Sequence, residues 1–205
     1  MPNDQYFTAE PSSASARREV RLDLDDLSLR LVTDSGVFSA DRVDPGTRVL
    51  LAEAPRPAGP LRNIADVGCG YGPIALTLAS RAPLAVVWAI DTNARARELC
   101  ALNAEQHGLD NVRVVAPDEV PDDVTFDAIW SNPPIRIGKA ALHDLLSRWL
   151  GRLGAGGHAW LVVQKHLGAD SLATWLNDTG WPTTRIASRQ AYRVLEVAVP
   201  EEVSP

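Results

Sequence analysis

Two short stretches carry residue types that an ordinary turn does not need. In DAIWSNPPIRIGK (127–139) an apolar run stops at Asn132, and Pro133 and Pro134 follow at once. Turn chemistry is satisfied by Gly, Asp or Asn with one proline, so an amide followed by two locked backbone angles points to a further purpose. In DVGCGYGP (66–73), Asp66 precedes Gly68, Gly70 and Gly72. Glycines let a backbone turn sharply and approach a ligand closely, and the free N–H groups of a following helix favour an anionic group. The G-x-G-x-G spacing differs from the G-x-G-x-x-G of dinucleotide sites, so this loop suits a ligand without a pyrophosphate; another nucleotide-binding α/β protein is the alternative. Pro73 fits the first turn of a helix. AIDTN (89–93) ends the next apolar run with Asp91 and Thr92, where a carboxylate can accept both hydroxyls of a ribose. VVAPDE (114–119) places Asp118 where it can accept from an exocyclic amine of adenine, although Asp118 also suits a plain turn.

The elements that must hold these residues follow from periodicity. Apolar runs NIADVG (63–68), AVVWAI (85–90), VRVVA (112–116), FDAIW (126–130) and HAWLVVQ (158–164) alternate with segments whose apolar residues fall three or four apart, at 73–82, 94–108 and 138–153. Strand and helix in alternation predict a parallel sheet covered on both faces. After one more helical segment (170–180) come TTRIAS (183–188) and YRVLEVA (192–198), with only Arg189, Gln190 and Ala191 between them. A connection that short cannot make a parallel crossover, so the last pair is predicted antiparallel. The fold class is therefore α/β: a doubly wound, Rossmann-like, seven-stranded sheet, mostly parallel with an antiparallel last strand. In such sheets ligands sit at the carboxyl ends of the strands, where the glycine loop, Asp91 and the Asn-Pro-Pro run all fall.

Ahead of this body, residues 1–16 are polar and without periodicity, and REVRLDL (18–24) and LSLRLVT (27–33) alternate around Asp25 and Asp26 as a β-hairpin. PRPAGP (55–60) reads as a linker. The predicted organisation is an N-terminal arm and hairpin, residues 1–54, packed on a catalytic domain, residues 55–205.

Composition bounds the class. The 205 residues are 45% apolar, ample for a core. Two cysteines, Cys69 and Cys100, with no leader-like or membrane-length apolar run, predict a cytoplasmic protein. Four scattered histidines lack metal-ligand spacing, and no metal is expected. The net charge of −6 is unusual for a broad RNA-binding face. A nucleic acid would have to be met by a local patch, drawn from Arg136, Lys139, Lys165, Arg185, Arg189 and Arg193.

DVGCGYGP, AIDTN and SNPPIRIGK, in that order on those strand ends, resemble the class I S-adenosylmethionine-dependent methyltransferases. YFTAEP (6–11), TDSGVFS (33–39), VDPGTRVLL (43–51) and NPPIRIGKAALH (132–143) resemble, more narrowly, the small methyltransferase domain of small-subunit ribosomal RNA guanine-N2 methyltransferases. The resemblance implies S-adenosylmethionine as cofactor, held by Asp66, Gly68, Gly70, Gly72, Asp91, Thr92 and Asp118, with Phe38 against the same pocket. It implies catalysis by Asn132, Pro133, Pro134 and Ile135, and contacts from Arg136, Lys139 and Lys165 to an RNA acceptor such as ribosomal RNA or the small ribosomal subunit. A monomer is expected.

The chemistry explains the Asn-Pro-Pro run. An exocyclic amine on a base is a poor nucleophile because its lone pair is delocalised. Two acceptors on its two N–H groups hold the nitrogen in line with the methyl to be transferred and stabilise the positive charge that develops there. The Asn132 side-chain oxygen and the Pro133 carbonyl are such acceptors. The sequence departs from one form of the pattern, in which an aromatic residue after the prolines stacks on the acceptor; here Ile135 leaves an apolar wall, and Trp130, Trp160 and Tyr192 are the rings available to replace it. The same chemistry serves another RNA base, a protein glutamine or a small molecule, and a non-catalytic RNA-binding assembly factor is a further alternative.

Overall fold

A computed structural model describes residues 14–200, so YFTAEP lies outside the described residues. The chain opens with a hairpin, β1 (Arg18–Asp23) and β2 (Ser28–Thr33), paired antiparallel with Leu22 opposite Leu29 and Val20 opposite Leu31. These four side chains are buried while Arg21, Asp23 and Arg30 face out, as strict alternation dictates. A two-stranded ribbon is marginal alone; burial of each apolar side chain contributes about 1.5–3 kcal/mol and holds it down.

Next comes α1 (Pro45–Glu53), a helix that the sequence reading had not assigned within the N-terminal segment. Its signals are nonetheless present: Asp44 caps it, accepting from the Thr47 N–H at 3.1 Å, and Pro45 opens it. Asp is among the strongest N-caps and proline suits the first helical position. Nine residues with apolar positions bunched at 49–51 present too little periodicity to stand out.

The body runs β3 (Asn63–Val67), α2 (Pro73–Arg81), β4 (Val86–Ile90), α3 (Ala94–Gln106), β5 (Val112–Val115), β6 (Phe126–Ser131), α4 (Lys139–Leu150), β7 (Leu153–Gln164), α5 (Ala169–Asp178), β8 (Thr183–Arg189) and β9 (Tyr192–Ala198). These form one seven-stranded sheet in the order β5-β4-β3-β6-β7-β9-β8. Every pair is parallel except β7–β9 and β8–β9, so β9 alone runs against the rest. The predicted α/β class and antiparallel last strand are both found. Gln190 and Ala191 join β8 to β9 with φ of 49° and 66°, the two left-handed residues that a tight hairpin requires.

Alternation along the central strands divides the core in two. Ile64, Ala128, Trp130, Trp160 and Val162 face a cluster shared with the hairpin, α1, α2 and α3. Ala65, Val67, Ile129, Leu161 and Val163 face α4 and α5. From β3 the chain builds outward through β4 and β5, then returns to the other side of β3 as β6. That reversal opens a crevice between the carboxyl ends of β3 and β6. Among the described residues no helix is long and apolar enough to cross a membrane.

One buried side chain ties the hairpin to this crevice. Asn103 of α3, fully buried, accepts from the Val32 N–H at 2.7 Å and donates to the Val32 and Tyr71 carbonyls at 2.9 and 2.8 Å. It thus closes backbone groups of β2 and of the glycine loop. An Asn103→Leu variant leaves those groups buried without partners, at about 1–3 kcal/mol for each. Urea unfolding is expected to show a loss of at least ~2 kcal/mol; a loss within ~0.5 kcal/mol, typical of neutral surface changes, would refute the role.

Candidate active site

The glycine loop is pinned from below. Gly68 and Cys69 donate to the Ile90 carbonyl at 2.8 and 3.1 Å, and Gly70 donates to Asp91 Oδ2 at 2.8 Å. Asp91 Oδ1 accepts from Asn93 N–H at 2.9 Å. The carboxylate at the end of β4 therefore shapes the loop and still keeps lone pairs toward the cleft. Burial raises its pKa, against the lowering by the Asn93 and Gly70 N–H groups.

The three glycines have different jobs. A Cβ on Gly70 meets no protein atom within 4 Å, and one on Gly68 meets only the Asn132 carbonyl oxygen at 4.0 Å; the space they leave is the cleft. Gly72, with φ of 98°, is enclosed: a Cβ there would lie 2.6 Å from Leu76 Cδ1 and 2.8 Å from Cys100 Sγ. It is a packing residue outside the cleft lining, where Gly68 and Gly70 are found. Gly72→Ala is expected to lower thermal stability, whereas Gly70→Ala, with only the ~1–2 kcal/mol of a left-handed non-glycine, loses proportionally more cofactor affinity. Equal effects of both changes in thermal denaturation and cofactor calorimetry would contradict this division.

Asp66 is also placed away from the lining. It is fully buried under the loop; Oδ2 accepts from the Ala75 N–H at 2.9 Å and Oδ1 has no partner among the described residues. Burial pushes its pKa well up, opposed by the Ala75 N–H and assisted by Asp91. Because the folded pKa exceeds the unfolded one, the stability it contributes is full below about pH 4 and is lost as pH rises through the folded value. Asp66→Asn keeps an acceptor for Ala75 but cannot ionise. Denaturant unfolding at several pH values is expected to show a shallower decline in that variant; an unchanged slope would remove Asp66 as its cause.

The opposite wall is the Asn-Pro-Pro run. Ser131 donates to the Val67 carbonyl at 2.6 Å, locking the end of β6 to β3. The Asn132 amide donates from Nδ2 to Asp44 Oδ1 at 2.8 Å and to Thr47 Oγ1 at 3.1 Å; Asn132 lines the cleft, and its Oδ1 takes no hydrogen bond from the described residues. Pro134, at φ −74° and ψ 74°, centres an inverse γ-turn, in which the Pro133 carbonyl accepts from Ile135 N–H at 2.8 Å. That carbonyl thus has one lone pair engaged and one left. Ile135 lines the cleft and also packs into the α4 core.

Cleft and surface separate the remaining predicted residues. Phe38, Thr92 and Arg136 line the cleft of about 530 Å³, with Phe38 45% exposed. The loop carrying Phe38 is seated by Asn93 Nδ2 on the Gly36 carbonyl (2.9 Å) and Arg95 on the Ser35 carbonyl (2.8 Å). Asp118 is exposed and outside the lining; Glu119 closes the turn onto the Ala116 N–H, leaving Asp118 outward and Pro117 against the cleft. Lys139 and Lys165 are exposed and also outside the lining. Of the other basic candidates, Arg189 pairs with Glu53 at 2.7 Å and Arg193 with Asp170. Trp130 and Trp160 are buried against each other, ring centroids 4.4 Å apart. Of these three rings Tyr192 is the one that lines the cleft, beside Phe38, Tyr71 and Trp149.

Among the polar lining residues that sequence reasoning missed are Asp44, Thr47 and Gln164. The Asp-Pro-Gly-Thr signature of a capped helix start was the available signal for the first two; Gln164 carried none.

A cleft of this size suits a nucleoside-sized ligand, and the side-chain-free path over Gly68 and Gly70 beside Asp91 fits S-adenosylmethionine. The methyltransferase small domain family model matches residues 28–196. The chain is 36% identical over 199 residues to "Uncharacterized protein YbxB" of Bacillus subtilis, covering 95% of this chain and 98% of that protein. It is 31% identical over 163 residues to ribosomal RNA small subunit methyltransferase C of Shewanella amazonensis, covering 77% of this chain but only 47% of that protein. A T. thermophilus 16S rRNA N2 G1207 methyltransferase, solved with AdoMet and guanosine, superposes with a TM-score of 0.77 at 22% identity, over 90% of this chain and 51% of the other. The chain thus spans about half the length of these named ribosomal RNA methyltransferases. It belongs to the methyltransferase small domain family, whose members are S-adenosylmethionine-dependent methyltransferases.

Proposed function

We propose that the chain methylates an exocyclic amino nitrogen, guanine N2 of small-subunit ribosomal RNA. The observation that carries this reading is the fixed Asn132 amide, its NH2 turned to Asp44 and Thr47 in the cleft that the glycine loop also lines. S-adenosylmethionine, when bound, supplies an electrophilic methyl group. Asn132 Oδ1 and the free lone pair of the Pro133 carbonyl accept the two N–H groups of the acceptor amine and aim its lone pair. Gly68, Gly70 and Asp91 hold the nucleoside side, and Arg136 at the rim meets RNA phosphate, with Lys139 and Lys165 further out. A guanine must leave its stack to bring its N2 to Asn132 and Pro133 in the cleft.

Residues 55–205 act in this reading as the catalytic domain, and residues 1–54 as an arm and hairpin packed on it. The protein works as a cytoplasmic monomer without a metal. Relatives named as small-subunit ribosomal RNA methyltransferases support the RNA acceptor. The net charge of −6 favours a compact footprint, and a glutamine amide, with the same electron-poor NH2, is the competing acceptor that the labelling test distinguishes.

Tritiated S-adenosylmethionine is incubated with small ribosomal subunits, naked RNA and cell protein, all from a strain lacking this chain. Label is expected in a guanine of the small-subunit RNA; label in protein alone, or in no fraction, overturns the proposal. Asn132→Ala is expected to reduce transfer about 100-fold or more while cofactor binding by calorimetry persists. Full activity in that variant would sink the role given to Asn132.

A further inference from the structure

The VDPGTRVLL block (43–51) contributes no group to the acceptor amine in the chemistry just described, yet its helix start holds the amide that does. We propose that Asp44 and Thr47, at the N-terminal turn of α1, are positioning residues for methyl transfer, setting which end of the Asn132 amide faces the acceptor. The inference rests on the reading of Asn132 as the amine-holding group.

An asparagine amide is nearly symmetric in shape and opposite in chemistry at its two ends. Flipped by 180°, it would offer an NH2 to an incoming NH2 and hold nothing. Something must therefore decide the orientation before the acceptor arrives. Asp44 Oδ1 does so, because an ionised carboxylate only accepts: it takes the Asn132 Nδ2–H at 2.8 Å, and the opposite flip would set two oxygens against each other. Thr47 Oγ1 takes a second hydrogen bond from the same nitrogen at 3.1 Å. The bracket is itself rigid, since the same Asp44 oxygen accepts the Thr47 N–H at 3.1 Å and so caps α1. Both residues line the cleft with Asn132.

A second effect is electrostatic. A hydrogen bond to a charged group is roughly twice as strong as a neutral one. Negative charge behind Nδ2 polarises the amide and leaves Oδ1 a stronger acceptor, where positive charge grows on the acceptor nitrogen. Neither effect requires Asp44 or Thr47 to touch the acceptor.

The same turn seats the nearby ring. A Cβ on Gly46 would lie 2.7 Å from Tyr192 Cε1, so the glycine lets Tyr192 pack directly on the helix start. The Asp-Pro-Gly-Thr tetrapeptide accordingly fixes both the amide and the aromatic side chain at this end of the cleft.

The test separates positioning from folding. Asp44→Ser keeps a good N-cap but is too short to reach Asn132, and Thr47→Val keeps the shape of the side chain and loses its acceptor. The double variant is assayed on small ribosomal subunits from a strain lacking this chain, with tritiated S-adenosylmethionine. We expect kcat to fall on the order of 10- to 100-fold, with the KM for subunits and the cofactor Kd each within about twofold of wild type. Adding both changes to Asn132→Ala, followed in single turnovers at enzyme excess, is expected to cost no more than about twofold further, because the amide they aim is gone.

Wild-type kcat in the double variant overturns the inference. So does a loss of cofactor binding or a large drop in Tm, which would make the turn a structural brace. An equal loss in the Asn132→Ala background would place Asp44 and Thr47 outside the amide's control and also overturn it. If residual activity of Asn132→Ala is at background, the kcat, KM and Kd pattern of the double variant decides. A wild-type protein that labels no subunit RNA refutes the functional reading itself, which the wild-type arm reports separately.

Discussion

One planar amide sits where three elements meet. Asn132 follows β6 and is bound to the capped start of α1, and its main-chain oxygen lies against the place where Gly68, after β3, has no side chain. If α1 shifted, the amide would lose its two acceptors. If β3 and β6 parted, the Ser131 bond to the Val67 carbonyl would go and the run that follows would lose its register. The geometry that the proposed transfer requires is thus a property of the junction. The sheet supplies the position and α1 the orientation, and neither does so alone.

The same division appears under the glycine loop. Asp91 holds the loop through Gly70 and its own strand end, and Asp66 holds the start of α2 through Ala75. Both carboxyls are pushed toward the protonated form by burial. Placing an acid in a dry site costs free energy that a neutral acid largely avoids. For Asp66, burial and an oxygen without a partner among the described residues both favour the neutral form. Acidic residues beside a glycine loop can therefore act as fasteners as well as ligands, and only Asp91 of the two faces the cleft.

Much of this was legible in the sequence because it is encoded locally. Most strands of the sheet contain a short apolar run, and the three-residue gap at 189–191 was enough to turn β9 antiparallel. The glycine spacing and Asn132 placed the cleft without any tertiary information. Non-local features were not legible. Asn103 carries no local signal, yet it closes bonds to Val32 seventy-one residues away. Asp44 looked like part of a family block, and its bond to Asn132 spans eighty-eight residues. Asp118 misled because turn direction depends on Glu119 closing back on Ala116, which strand-end position does not specify.

The replacement of an aromatic residue by Ile135 fits this picture. Ile135 follows the inverse γ-turn and packs, with Ile137 and Leu145, against the core under α4. A ring at that position would have to share its faces between that core and the cleft. Tyr192 enters from the other core, carried on the first residue of the antiparallel strand and resting on Gly46 of α1. The left-handed pair Gln190 and Ala191 returns the chain tightly enough to put Tyr192 opposite Gln164, at the carboxyl end of β7. The antiparallel direction of β9 is what makes this possible: a parallel strand in that slot would present its first residue at the far edge of the sheet. An aliphatic residue after the prolines is therefore compatible with an aromatic wall in the cleft, provided that the wall is delivered by β9 and braced by the start of α1.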